Sequence, residues 1–367
     1  MKNQILLSIL ALTIFSIGAS AKVWTVNNYH GAADFTTLQS AINGAANGDT
    51  LYLEPSTSDY GAGTLNKRLT IIGPGYWLEE SDSTQANKNV ARVTQLVFNA
   101  GSQGSQVSGL YIDYGNFGSQ QYWKLLTINA DSITIDRNFL KGYANAGTTF
   151  EGYTFYINGN RSGILIQQNW IEAAIYDDQS YNYNGTVNCI YYSGIPSDCI
   201  IQNNFIRGYL IGGSCGYRAI YLPSNNSQND VRILNNVIWG PIITYYTELT
   251  NNIMVSGSYN VGLGDGAYHN SCNTTQFPNE NGNQQNVVMD SVFVDYLLYK
   301  DFGYLLKPNS PARNAGVNGG DCGVFSNETG PSYILSGIPP IPAIFEVNTE
   351  NYGEETIPVN IKAKSNN

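Results

Sequence analysis

The 367-residue chain contains one Asp-Asp pair, Asp177-Asp178, set in Ile-Tyr-Asp-Asp-Gln-Ser. Acid-catalysed glycoside hydrolysis needs two carboxylates, one on either side of the scissile bond. β-Elimination from a uronate needs a base together with a cation or metal that stabilises the enolate, and Arg218 is a cation suited to part of that task. Solvated loop acids are the plainer reading of Asp177 and Asp178, because aspartates are mostly exposed. A second set is aromatic: Tyr156, Tyr191 and Tyr221, with Asn129, Asn158 and Ser193 near them. Phenol and amide groups meet sugar hydroxyls, and ring faces pack on C–H surfaces, so this set suits a neutral glycan. An aromatic row that stiffens the scaffold is the competing reading. The two histidines, His30 and His269, lie far apart, and no C-x-x-C or Cys/His spacing occurs. Neither a metal site nor a cofactor is expected.

Composition narrows what can position these groups. Charged residues are 13% of the chain, about half the common share of roughly 25%. Asparagine alone reaches 44 residues, beside 38 Gly and 27 Tyr. A net charge of −10 and a pI near 4.6 exclude the basic footprint that nucleic acids and anionic membranes require. A hydrophobic fraction of 42% excludes a disordered chain. So few charges also argue against exposed helices, whose surfaces are normally covered by Glu/Lys pairs. A strand-rich globular chain remains.

Residues 1–21 read as a secretory signal peptide: Lys2 begins it, Ile5–Ile17 is its apolar stretch, and Ala19-Ser20-Ala21 is the small-residue cleavage site. The apolar run is too short to span about 30 Å of hydrocarbon, so no membrane span is expected. The mature chain would begin at Lys22 and work outside the cytoplasm, whether extracellular, at the cell surface or in the periplasm. Five cysteines follow, and an odd count leaves at least one thiol free. Cys189 with Cys215, and Cys272 with Cys322, are candidate bridges, leaving Cys199 as a buried thiol.

Organisation comes from a repeat. Ile133/Ile135, Ile164/Ile166, Cys199/Ile201 and Val231/Ile233 are apolar pairs two residues apart. Each is followed, after two residues, by Asn138, Asn169, Asn204 or Asn236, and then by a further apolar pair. The asparagines are 31, 35 and 32 residues apart. Upstream of each unit stands another alternating strand: Leu126/Ile128, Phe155/Ile157, Ile190/Tyr192 and Ile220/Leu222. Units of about 30 residues with one buried face must stack on their neighbours, which makes a parallel β-helix. The aligned asparagines are then expected to adopt left-handed turns and hydrogen-bond along the axis as a structural ladder. Asp34 to Ile42, followed by Gly44, has the spacing of a helix capping the first coil. Strands at Leu51/Leu53 and Leu69/Ile71 would form that coil.

These features resemble the secreted right-handed parallel β-helix proteins of the pectin-lyase-like superfamily. The opening Asp34-Phe-Thr-Thr-Leu-Gln-Ser-Ala-Ile with Gly48-Asp49-Thr50-Leu51 is similar to the start of that superfamily's domains. Ile71-Ile72-Gly73-Pro74-Gly75-Tyr76, Gly282-Asn283-Gln284-Gln285, Leu306 to Gly316 and Leu335 to Pro339 resemble exported β-helix proteins of Bacteroidetes-type bacteria. The resemblance implies an all-β right-handed solenoid with an N-terminal capping helix and a C-terminal extended tail. Residues 22–335 would form the β-helix domain, and residues 336–367 a Pro-rich extension with an edge strand over Ile357–Ala363. It also implies that glycans lie along the outer face of the first strand of each coil. Period-2 alternation turns Thr127, Tyr156, Tyr191 and Tyr221 towards that face. The superfamily's lyase and polygalacturonase signatures are absent around Asp177 and Asp178. The expected function is therefore engagement of extracellular polysaccharide; whether the chain also cleaves it, as a lyase or a glycoside hydrolase, is left open by these residues. The alternative is a non-catalytic cell-surface or matrix protein that docks a protein partner through its C-terminal strand.

Overall fold

The computed structural model describes residues 21–29, 31–80, 84–114, 122–145, 149–176, 184–211, 216–328, 330–349 and 358–365. Residues 1–20, all but the last of the expected signal peptide, and Asp177, Asp178 and Cys215 lie outside the described residues. The described chain is a right-handed parallel β-helix. Three parallel sheets, of ten, eight and eight strands, run along its axis. Each coil visits them in the same order. Sheet I holds Thr134–Asp136, sheet II Phe139–Asn145 and sheet III Thr149–Ile157 before the chain returns to sheet I at Leu165–Gln167.

Alternation turns one apolar column of each sheet inward. Ile135, Ile166, Ile201 and Ile233 are in register in sheet I, Leu140, Ile171, Ile206 and Ile238 in sheet II, and Phe155, Ile190 and Ile220 in sheet III. All are buried.

The turn from sheet I to sheet II carries an amide ladder. The main-chain N–H of Asn138 donates to Asn169 Oδ1 at 2.9 Å, Asn169 to Asn204 at 2.9 Å, and Asn204 to Asn236 at 2.9 Å. Side-chain amides follow the same path at 3.0–3.1 Å. The ladder continues through Asn252, Asn270 and Asn283 at separations of 16, 18 and 13 residues, and sequence spacing alone does not reveal the last two. The left-handed position differs from expectation as well. It belongs to the residue before each rung, at Arg137, Gln168, Asn203, Asn235, Asn251 and His269 with φ between 53° and 57°. This arrangement frees each ladder side chain to point inward, where it satisfies carbonyls of its own and the preceding coil.

A helix at Leu38–Gly44 covers the N-terminal end, capped by Thr37 Oγ1 accepting from Ser40 N at 3.2 Å. It buries Leu38, Ala41 and Ile42. Gly63 lies beneath it, where a Cβ would stand 2.8 Å from both Leu38 and Ile42, so only glycine lets the helix sit this close. The strands at Thr50–Leu53 and Thr70–Ile72 pair with each other in sheet I, so they are rungs of successive coils rather than parts of one. Val23–Val26 forms a still earlier rung.

The outer face of sheet II is also buried. Phe139, Trp170, Phe205, Val237 and Ile253 form its column. The segment from Met289 to Tyr333 wraps across it, adding Phe293, Tyr304 and Val324 to a second core. Asp301 is 1% exposed within this wrap. It accepts hydrogen bonds from Ser336 N at 2.6 Å and Phe302 N at 2.8 Å, with Tyr333 Oη at 3.4 Å. Burial raises its pKa from 3.8 to about 6. A raised carboxyl pKa means that the protonated form is the one folding favours. The associated stability is complete below about pH 4 and is lost as pH rises through about 6, a change of about 3 kcal/mol. Denaturant titrations of Asp301→Asn between pH 4 and 7 are expected to show a pH slope reduced by that amount relative to wild type. Identical slopes would disprove the assignment.

All four described cysteines, Cys189, Cys199, Cys272 and Cys322, are free and buried. The Cys272–Cys322 bridge does not form. Cys272 Sγ donates to Thr274 O at 3.3 Å and Cys322 Sγ to His269 O at 3.1 Å, so each thiol has its own local acceptor. Cys189 points into the core and is likewise unbridged. At the C-terminus, Val359–Lys364 pairs antiparallel with Ala343–Thr349, leaving Val347, Val359 and Ile361 about half exposed. Among the described residues no helix is long and apolar enough to cross a membrane.

Candidate functional site

Sheet III places Thr127, Tyr156, Tyr191 and Tyr221 in one register column. All four are half-buried. Ring centroids of Tyr156 and Tyr191 are 5.6 Å apart with planes 23° from parallel; Tyr191 and Tyr221 are 5.5 Å apart at 47°. Thus the faces turn along the solenoid axis towards one another. Lys124 Nζ lies 3.4 Å from the Tyr156 centroid, and Arg218 Cζ 4.3 Å from that of Tyr221. The row therefore spends its faces on itself and on two cations. Ring edges and phenol hydroxyls are what remain free of these ring contacts.

A second column runs beside the first. Lys124, Tyr153, Asn188 and Arg218 are in register. Strict alternation would turn Tyr153 inward, yet its ring lies 5.1 Å from Tyr156 and 4.8 Å from Tyr191. The cause is a break in the pleat repeated in successive coils. Leu125-Leu126, Thr154-Phe155, Cys189-Ile190 and Ala219-Ile220 each bury two consecutive residues. Two buried neighbours reverse the phase of everything before them. Sequence reasoning missed Lys124, Tyr153 and Asn188 for this reason; the repeated small or apolar pairs were the available signal.

Two of the phenols, Tyr191 and Tyr153, are shifted upward. Burial raises the pKa of Tyr191, and the neighbouring Tyr156 and Tyr221 add to the effect. Tyr153 is raised further by burial and by its hydrogen bond to the Glu151 carboxylate. Arg218 Nη1 donates to Asn188 Oδ1 at 3.5 Å. Among the described residues, the hydroxyls of Tyr156, Tyr191 and Tyr221 are hydrogen-bonded to no protein group. These three unspent donors and acceptors stand in line, one per coil.

Asn129 and Asn158 have a different setting. Asn129 Nδ2 donates to Asn99 Oδ1 at 2.9 Å, Asn158 Nδ2 to Asn129 Oδ1 at 2.8 Å, and Ser193 Oγ to Asn158 Oδ1 at 3.4 Å. They form a second, outer amide line at the turn leaving sheet III, which uses part of their hydrogen-bonding capacity. Lys141, Glu172 and Arg207 share a register row on the outer face of sheet II.

No family model matches the chain, and no curated protein matches it. Solved structures do. Two crystal structures of the pectin methylesterase from Aspergillus niger, in deglycosylated and penultimately deglycosylated forms, are 14% and 16% identical to it. Each alignment covers 73% of this chain and 90% of the other, with a TM-score of 0.35. The fold assignment rests on the strand pairing itself.

Proposed function

We propose that this chain is an exported β-helix protein that binds extracellular polysaccharide along the outer face of sheet III. The observation that carries the reading is the column of three tyrosine hydroxyls, in register and, among the described residues, without protein partners. Unengaged hydroxyls repeated once per coil, on rings 5.5–5.6 Å apart, suit a polymer whose hydroxyls also repeat. Lys124 and Arg218 lie against the rings at the two ends of the row and hold it in place. The signal sequence over residues 1–21 delivers the protein to the compartment where such polymers occur.

The test separates hydroxyls from rings. In affinity electrophoresis through a panel of soluble neutral polysaccharides, wild type is expected to be retarded by at least one polymer. The triple variant Tyr156→Phe/Tyr191→Phe/Tyr221→Phe keeps the stacked rings and should retain its melting temperature while losing binding by tenfold or more. Absence of retardation throughout the panel, or an unchanged triple variant, would reject the reading.

A further inference from the structure

The geometry points to a second binding site, for one carboxylated sugar, on the opposite side of strand Gly216–Tyr221 from the tyrosine row; we propose it as distinct from the polysaccharide face. On the outer face of sheet II, Asp113, Lys141, Glu172 and Arg207 occupy one register row, alternating in charge, and the row ends in Trp239 and Ser256. Strand Phe205–Ile211 has seven residues, but its neighbour Val237–Trp239 has three. The chain then turns away at Gly240 in a left-handed conformation, with the Tyr217 ring 3.3 Å from where a Cβ would be. That step leaves a cavity of about 320 Å³ lined by Arg207, Tyr209, Tyr217, Trp239, Ser256 and Tyr299. Ligand sites range over about 300–1,000 Å³, so this one has room for a single ring rather than a chain.

Arg207 is the charge in this pocket. Its Cζ lies 4.2 Å from the Tyr209 centroid and 3.8 Å from that of Tyr299. Glu172 stands behind it at 3.8 Å and already accepts from Trp170 Nε1 at 2.8 Å. Among the described residues the guanidinium donates no hydrogen bond, although it carries five N–H groups in a planar fork. A fork held by aromatic rings, ion-paired with Glu172 at 3.8 Å but donating no hydrogen bond among the described residues, matches the two oxygens of a carboxylate. Tyr299 supports a binding role independently. It is left-handed at φ 53° and 42% exposed, a strained aromatic whose ring is placed over Arg207.

That the carboxylate belongs to a sugar rests on the polysaccharide reading. Tyr217 lines this pocket while the next residue, Arg218, contacts Tyr221 of the row, so one strand separates the two sites. Isothermal titration with sodium glucuronate, glucose and sodium benzoate decides the matter. Glucuronate is expected to bind at least tenfold more tightly than either glucose or benzoate. Tyr299→Ala, a change at an exposed position, should weaken glucuronate tenfold, and Glu172→Gln/Arg207→Gln should abolish the preference over glucose. The triple Tyr→Phe variant of the row should bind glucuronate as wild type does, even if the polysaccharide reading fails. No glucuronate binding, equal binding of glucose or benzoate, an unaffected Tyr299→Ala variant, or loss in the triple variant would each overturn the proposal. Should the Glu172/Arg207 pair fail to fold, Tyr299→Ala decides alone.

Discussion

Asn204→Ala is expected to cost about 4 kcal/mol or more, by denaturant unfolding, although it removes a small polar side chain. The residue is fully buried in the middle of the ladder. Its Oδ1 accepts from the main-chain N–H of Asn169 at 2.9 Å and from that residue's amide at 3.0 Å. Its Nδ2 donates to the carbonyls of Ile166 and Gln202, both at 2.9 Å, and to Asn236 Oδ1 at 3.0 Å. Alanine leaves the Asn169 N–H without its acceptor and takes a donor from the Ile166 and Gln202 carbonyls, the second of which keeps Gln168 N at 3.2 Å, in a place water does not reach. Each buried polar group left unsatisfied costs about 1–3 kcal/mol. Asn158→Ala is the control. It breaks an exposed amide line and should cost less than about 1 kcal/mol. Equal losses at the two positions would mean that the inner ladder contributes no more than a surface turn.

Trp170→Ala is expected to destabilise by the upper part of the range of about 3–5 kcal/mol for truncating a buried aromatic. The indole is 1% exposed and lies 4.7 Å from Trp77, 4.8 Å from Phe205 and 5.9 Å from Tyr304. The first partner comes from an early coil and the last from the C-terminal wrap. Losing the indole opens a cavity between them and deprives Glu172 of the donor at 2.8 Å. A loss under about 1 kcal/mol would show that the wrap is not packed as a core. Two-step unfolding would show that it melts separately from the coils.

Much of the fold was legible because alternation and spacing are local properties. The pairs ending in Ile135, Ile166, Ile201 and Ile233 mark strands with one inward face, and the 31–35-residue spacing of Asn138 to Asn236 marks a coil. The second core was legible in principle. The apolar pairs after each ladder asparagine, Phe139-Leu140, Trp170-Ile171 and Phe205-Ile206, are apolar on both faces, as strands covered on both sides are. What covers the outer face comes from Met289 onwards, and no local pattern connects segments so far apart. The tyrosine column could be read from Phe155, Ile190 and Ile220, which lie after the break in the pleat. Tyr153, Asn188 and Lys124 lie before it, where alternation carried backwards gives the wrong phase. Asn270 and Asn283 were hidden by the change in coil length.

That change in coil length also bears on how the chain folds. Coils of 31–35 residues and coils of 13–18 residues advance the ladder by the same single rung. Closing a loop of half the length costs about 0.6 kcal/mol less in chain entropy, and this applies at each of the last three rungs. Contacts made early are those closed most cheaply. The short coils from Asn236 to Asn283, and the 20-residue step from Thr50 to Thr70, are therefore the cheapest to close, and the long central coils lie between them.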